Sequence, residues 1–318
     1  MVKAFPGVFS RTRRQDINRR VRVLPWLWLL PALFFIILFL VYPTIETLRL
    51  SFMNQDSSAY IGAENYQHIF ASSATRTALL NNVLWLVLFT VLATGLGLIF
   101  AVLTGKVRYE SLAKAAIFIP MAISFVAAAV IWRFMYAFRP EGFTQTGLVN
   151  AIGTGIGLEP IAWLVEHALP YIDVLLPGPL HTNNFAIVAV GVWMWTGFAM
   201  VVLSAGLKGI STEVLEAAYV DGANDWQIFW RIILPILSPT IAVVGTTLVI
   251  QALKNFDMVW VMTAGNYGTD VVATLMFKEM FNFHNFGRAS ALAVVLLVAI
   301  LPVVLINIRR FRVQEETR

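Results

Sequence analysis

The sequence contains no cysteine among its 318 residues. That excludes a disulfide framework and any thiolate metal site. Histidine is also scarce. His68, His167, His181 and His284 are scattered, and none has a ligand partner three or four residues further on, which argues against a metal centre. Charge is the third shortage: 13% of residues are Asp, Glu, Lys or Arg, against 58% apolar. A soluble chain of this length carries more charge to cover its surface. No G-x-x-x-x-G-K-[ST] loop occurs, so that means of holding ATP is missing. The run GTGIG at 153–157 follows no strand and is no nucleotide fingerprint.

What the chain has in abundance is long apolar runs. Six of them, at 25–48, 80–104, 114–136, 185–207, 239–262 and 288–308, exceed the ~18 residues needed to cross about 30 Å of hydrocarbon. Lipid offers no partner for open backbone, and the runs lack the alternation of a barrel strand, so each is expected to be a helix. The first run has a basic flank like a signal peptide. It is long, however, and ends in YPTIETLRLSF without a small-x-small cleavage pattern, so it reads as a retained span. The fold class expected is an all-α integral membrane protein of six transmembrane helices.

Orientation follows from basic residues near the span ends. Lys3, Arg11, Arg13, Arg14, Arg19, Arg20 and Arg22 precede the first span, Lys106, Arg108 and Lys114 lie between the second and third, and Arg309, Arg310, Arg312 and Arg318 close the chain. The stretch 138–184 carries Arg139 against Glu141, Glu159, Glu166 and Asp173. Both termini are therefore expected in the cytoplasm, with a basic arm at 1–24, a membrane domain at 25–308 and a tail at 309–318. The pI near 9.6 then reflects contact with anionic lipid headgroups and calls for no nucleic acid. Arg133 is expected to snorkel to the interface.

The segment 208–238 departs from this pattern. It sets Glu213, Glu216, Asp221 and Asp225 against Lys208 and Arg231, and reads as helix–turn–helix on the cytoplasmic side. Gly222 can end the first helix in a left-handed conformation, Asn224 or Asp225 can cap the second, and Pro235 and Pro239 are expected to bend its exit toward the fifth span. An acidic cytoplasmic loop suits a protein partner; the plainer reading is an amphipathic loop lying on the membrane.

Glu216-Ala217-Ala218, three residues, Gly222, nine residues, Ile232, one residue and Leu234-Pro235 resemble the EAA signature of membrane subunits of binding-protein-dependent ABC importers. IGAENYQHIF (61–70), NFDMVWVMTAG and FNFHNFGRASALAVVLL are similar to segments of sugar permeases of the maltose-transporter class. The resemblance covers nearly the whole chain after residue 24. It implies a type I importer permease whose Glu216, Ala217, Ala218, Asp221, Gly222 and Ala223 form a coupling helix. It further implies a second homologous permease subunit, two cytoplasmic ATPase subunits that bind ATP and magnesium, and an extracytoplasmic solute-binding protein. This chain would itself be no enzyme and hold no cofactor.

Polar residues inside spans mark a possible solute path, because each charged one costs about 2.5–3.5 kcal/mol at mid-bilayer. Treated as one continuous helix, span five places Leu248, Gln251 and Asn255 in one stripe, with Lys254 and Asp257 spaced to pair. Span four places Trp193, Thr196, Gly197 and Met200 on one face. Amides can hydrogen-bond sugar hydroxyls and an indole can pack on a pyranose. The resemblance carries sugar-contacting positions onto these seven residues, of which Gly197 and Asn255 keep the residue type the family leads one to expect. Interhelical packing is the competing account of them. The importer could equally take another small solute such as a polyamine or phosphate. An ion-coupled secondary transporter is the alternative from another class, for which Lys254 and Asp257 are the one hint. The stretch 165–183 looks like an addition to the family pattern, shaped by Pro170, Pro177 and Pro179, and is a candidate contact for the solute-binding protein or a cover over the outer mouth.

Overall fold

The computed structural model describes residues 28–165 and 182–316. The basic arm at 1–24 and most of the segment 165–183 lie outside the described residues. Among those described there is no β-strand, only an isolated bridge between Met53 and Tyr60.

Helix α7 (Thr182–Lys208) is the axis about which the rest is arranged, with 72% of its apolar stretch buried. It packs closely along α3 (Ser73–Thr104). Small residues permit the approach: a Cβ on Gly97 would lie 2.5 Å from Cβ of Ala199. Between membrane helices lipid supplies no hydrophobic drive, so backbone proximity and dispersion must hold the pair. Helix α9 (Asp225–Leu253) packs on both members of this pair, and α12 (Phe286–Glu316) packs in turn on α9 and on the short α11 (Val272–Phe277). Helix α1 (Trp28–Leu50) has none of its residues buried and meets the bundle through its C-terminal part, Tyr42–Leu50, which packs on the last helix. Its C-terminal end is tied down through α2 (Glu64–Ala71): Asn65 donates to the carbonyls of Ser51 and Met53 at 2.9 and 2.7 Å, and Tyr66 donates to the Ser51 hydroxyl at 2.7 Å. That is what the Asn-Tyr of IGAENYQHIF does here.

The third run is not one straight span. Helices α4 (Glu110–Ala122) and α5 (Phe125–Met135) meet at 97°. Pro120 sits in the tight 3-10 turn Ile119–Ala122, and Ser124 caps α5 by accepting from the Ala127 amide at 3.2 Å. A proline that cannot donate followed by a hydroxyl that can cap is a local instruction to stop and restart. Beyond α5, the short α6 (Leu148–Gly155) occupies what the sequence presents as loop, held by Asn150, which accepts from Trp163 Nε1 at 3.1 Å and from the Ile161 amide at 3.0 Å.

The fifth run also differs from expectation. Its helix begins at Asp225 and runs unbroken through Pro235 and Pro239 to Leu253. A widened π-turn at Phe229–Ile233 accommodates Pro235. Proline clashes with the carbonyl four residues back, which for Pro235 is Arg231, inside the widened turn. The same pairing recurs in α1, where the π-turn Ile37–Val41 precedes Pro43. By length and composition, four helices can cross a membrane, the bent pair makes a fifth, and the apolar start of α12 at Phe286–Pro302 is shorter. Among the described residues, the six expected runs are thus four continuous helices, one bent pair and one shorter apolar helix.

Candidate functional site

Helix α9 stops at Leu253. Residues 254–256 are irregular, and the short α10 (Asp257–Thr263) resumes afterwards. Asn255 therefore does not extend the α9 stripe that an unbroken helix would give. Irregular backbone among membrane helices survives only where protein covers it or where it lines a polar cavity. Here it lines a cavity of about 100 Å³ walled by Trp85, Phe89, Phe125 and Trp195, with Gln251 and Asn255 as its amides and Lys254 and Asp257 at its edge. A single water needs only ~10–15 Å³ of such space, so the cavity has room for more than one water or for part of a small solute. Lys254 and Asp257 are both exposed in the single chain and make no ion pair with each other. The Asn255 amide nitrogen and the Trp85 indole nitrogen are both buried without a protein acceptor.

The seven residues singled out in the sequence separate in space. Gln251 and Asn255 line this cavity. Trp193 and Thr196 line a different one, an apolar groove of about 710 Å³ along Leu88, Leu92, Leu96 and Phe100. Trp193 stands edge-on to Trp132 there, and the Thr196 hydroxyl donates back to the Val192 carbonyl at 2.7 Å. Gly197, Met200 and Leu248 lie in packed interior. A Cβ on Gly197 would come 2.5 Å from the Ile117 carbonyl oxygen, so this glycine lets the α4 backbone approach α7. The indole of α7 that lines the cavity with the amides is that of Trp195, not Trp193, and it is stacked on Phe125 with ring centroids 6.2 Å apart. Trp85 was not singled out in the sequence. It lies in the π-turn Trp85–Phe89 of α3, twelve residues, or roughly 18 Å of helix, from the Ser73 end.

At the other end of the bundle, α8 (Thr212–Val220) presents an exposed apolar surface: Val214 is 45%, Tyr219 54% and Val220 88% exposed. Glu216, Ala217, Asp221 and Gly222 are exposed, Ala223 is half-buried and Ala218 is buried. Gly222 has φ +80°, the left-handed value its position requires. The next helix starts with a reciprocal cap. The Gln227 amide donates to Asn224 Oδ1 at 2.9 Å and the Asn224 amide donates to Gln227 Oε1 at 3.0 Å. Tyr219 donates to Asp225 at 2.8 Å, which raises its phenol above the ordinary value. A third tie links α4 to α7: Lys208 and Lys114 both meet Glu110 Oε1, at 2.8 and 2.5 Å, and Lys114 also reaches the Ser204 hydroxyl.

At the far end a polar knot fixes the loop after α10. Asn81 donates to the carbonyls of Gly268 and Asp270 at 2.7 and 2.8 Å, and Asn183 donates to that of Tyr267 at 2.7 Å. Lys278 bridges both oxygens of Asp270 at 2.9 Å. Burial pushes the Asp270 carboxyl above its usual value, with the Lys278 ammonium opposing the shift. The exposed Arg133 guanidinium donates to the Val261 carbonyl of α10 at 3.2 Å. No three His, Asp or Glu residues converge as metal ligands among the described residues.

The family model of the binding-protein-dependent transport system inner membrane component matches residues 93–314. The chain belongs to that family. This permease is 52% identical to the osmoprotective compounds uptake permease protein GgtC of Synechocystis over 92% of its own length and 100% of the relative's. It is 43% identical to the alpha-glucoside transport system permease protein AglF of Rhizobium meliloti, over 95% of this chain and 87% of that one. Its fold matches a permease chain of a bacterial ABC transporter that imports the acidic polysaccharide alginate, with a TM-score of 0.75 at 24% identity, over 95% and 99% of the two chains. The type I importer permease architecture is thus the fold of this permease, and its cavity lies in a transport protein of the inner membrane.

Proposed function

We propose that this permease carries a neutral, polyhydroxylated solute of the carbohydrate or glycoside class through the cavity beside the α9–α10 break. The observation that supports the reading most is the break itself: irregular backbone at Lys254–Phe256, lining a cavity with two amides and stacked aromatic walls. Amides match hydroxyls, and indole faces match the apolar face of a sugar ring. The charges at the edge, Lys254 and Asp257, cancel, which suits an uncharged solute. The 43% relative is named for alpha-glucosides and the 52% relative for osmoprotective compounds, and a small neutral glycoside satisfies both descriptions.

The α8 end is assigned to the cytoplasm, with both termini, from the basic residues flanking the spans. There α8 serves as the coupling helix, its exposed Val214, Tyr219 and Val220 covered by one of two partner ATPase subunits. A second, homologous permease subunit completes the path, with the solute delivered by an extracytoplasmic binding protein. Helix α8 is joined on one side to α7, which carries Gly191 and Trp195, and on the other to α9, which carries Gln251. A rigid displacement of α8 therefore pulls on two walls of the cavity at once. The test is uptake of radiolabelled maltose, trehalose and methyl α-glucoside into proteoliposomes holding the complete complex. The expected result is uptake that needs both ATP and the loaded binding protein. Uptake driven by an ion gradient without ATP overturns the reading.

A further inference from the structure

Helix α3 carries four buried side-chain polar atoms that find no protein partner: Asn82 Nδ2, Trp85 Nε1, Thr90 Oγ1 and Thr94 Oγ1. The threonines are unusual within this molecule. Thr104, Thr196, Thr246 and Thr247 each donate to the carbonyl four residues back, the ordinary solution for a hydroxyl on a membrane helix. Thr90 and Thr94 do not.

The four positions would be scattered on a regular helix. At about 100° per residue, Thr90 and Thr94 would fall roughly 140–180° from Trp85. The π-turn Trp85–Phe89 lies between them. A π-turn acts as one inserted residue, and it rotates everything beyond it back by about 100°. With that correction Asn82, Trp85, Thr90 and Thr94 fall within roughly 80° of one another. Leu92 and Leu96 fall roughly 120–160° from the middle of that face, where they line the apolar groove. The two faces of α3 therefore sort polar from apolar only because the bulge is there. The bulge also seats the Trp85 ring against Gly191, where a Cβ would lie 2.8 Å from it.

We propose that this face of α3 is a further wall of the solute path, running from the cavity at Trp85 toward the α8 end through Thr90 and Thr94. Trp85 is its specificity residue. An indole N–H can only donate, so it selects a solute oxygen that accepts, such as a hydroxyl or glycosidic oxygen. The hydroxyls of Thr90 and Thr94 both donate and accept, and offer the leaving solute successive exchangeable partners. The inference rests on the proposed path beside the α9–α10 break and extends it to a helix outside the residues that the sequence marked.

The experiment uses the complete complex in proteoliposomes, with uptake of methyl α-glucoside, maltose and trehalose measured per assembled complex. The variants are Trp85→Phe, which keeps a ring and removes the N–H, and the double variant Thr90→Val with Thr94→Val, which nearly preserves shape. We expect uptake to fall about three- to ten-fold, one lost hydrogen bond's worth or more. We expect the melting temperature of the complex carrying the double threonine variant to stay level or rise, because unpartnered polar groups have been removed from the interior at little change of shape. Trp85→His, which restores a ring N–H, should recover part of the uptake. Lower stability with normal uptake per complex assigns these residues to packing and overturns the proposal. So does wild-type uptake in all three variants alongside impaired Asn255→Ala, an outcome that leaves the path beside the break standing. Wild-type uptake in Asn255→Ala and Gln251→Ala as well removes that path itself.

Discussion

Gly222 offers the sharpest test of how α8 is held. Its φ of +80° is left-handed, and a Cβ placed there would meet no atom within 4 Å. Space is therefore not the constraint; backbone conformation is. A left-handed L-residue costs roughly 1–2 kcal/mol, and a β-branched one more, since both γ-substituents crowd the backbone. Asn tolerates the conformation best among non-glycine residues. One or two kcal/mol multiplies the population of an opened turn by about 5–30. The turn fixes the angle between α8 and the Asn224/Gln227 cap that starts α9, so opening it uncouples lever from wall. The assay is ATPase activity of the reconstituted complex with and without loaded binding protein. Stimulation should decline in the order Gly222, Gly222→Asn, Gly222→Ala, Gly222→Val, with basal hydrolysis unchanged. Equal loss in all three variants would show that the glycine matters for its lack of a side chain at a partner surface. Equal retention in all three would refute the conformational argument.

Three further outcomes follow from the same geometry. Asn255→Ala removes hydrogen bonds worth roughly 0.5–1.5 kcal/mol each and should slow uptake several-fold per assembled complex; Asn255→Leu should be worse, since it fills a cavity of about 100 Å³. Gly197→Ala forces a methyl against the Ile117 carbonyl and should cost about 1–3 kcal/mol, read as a lower melting temperature, with normal transport in whatever assembles. Lys278→Met strips the partner from the Asp270 carboxylate, whose side chain is 18% exposed. That should cost roughly 2 kcal/mol, less than the ~3–5 kcal/mol of a fully buried pair, and Asp270→Asn in the same chain should recover most of it.

The membrane helices were legible because length and apolarity act over twenty residues and need no knowledge of neighbours. The Gly222 turn and the Asn224 cap were legible for the opposite reason, since each is decided within four residues. What failed lies between these scales. Pro120 lies in the third apolar run and Pro235 just ahead of the fifth. One breaks its helix by 97°, and the other is absorbed without a break. The difference is in their surroundings: Ser124 stands ready to cap a new helix after Pro120, while the widened turn ahead of Pro235 removes the clash. A pattern of apolar residues records neither.

The site shows the same limit at closer range. Gln251 and Asn255 reach one cavity, but not as neighbours on a helix face; the break at Lys254 brings Asn255 there by another route. Trp193 and Trp195 are two residues apart in VWMWTG, and periodicity alone does not say which one faces the amides. Gly191 decides it. It lies four residues before Trp195, on the same face of α7, and its missing side chain admits the ring of Trp85. A glycine that lets an aromatic ring approach a helix backbone, beside an amide at a helix break, is a three-helix arrangement. Only its members, not their meeting, are written along the chain. That is also why a π-turn matters more here than a single polar residue: shifting the register of α3 by one position decides which side of the helix each later side chain occupies, and so whether Thr90 and Thr94 face the Trp85 side or the apolar groove.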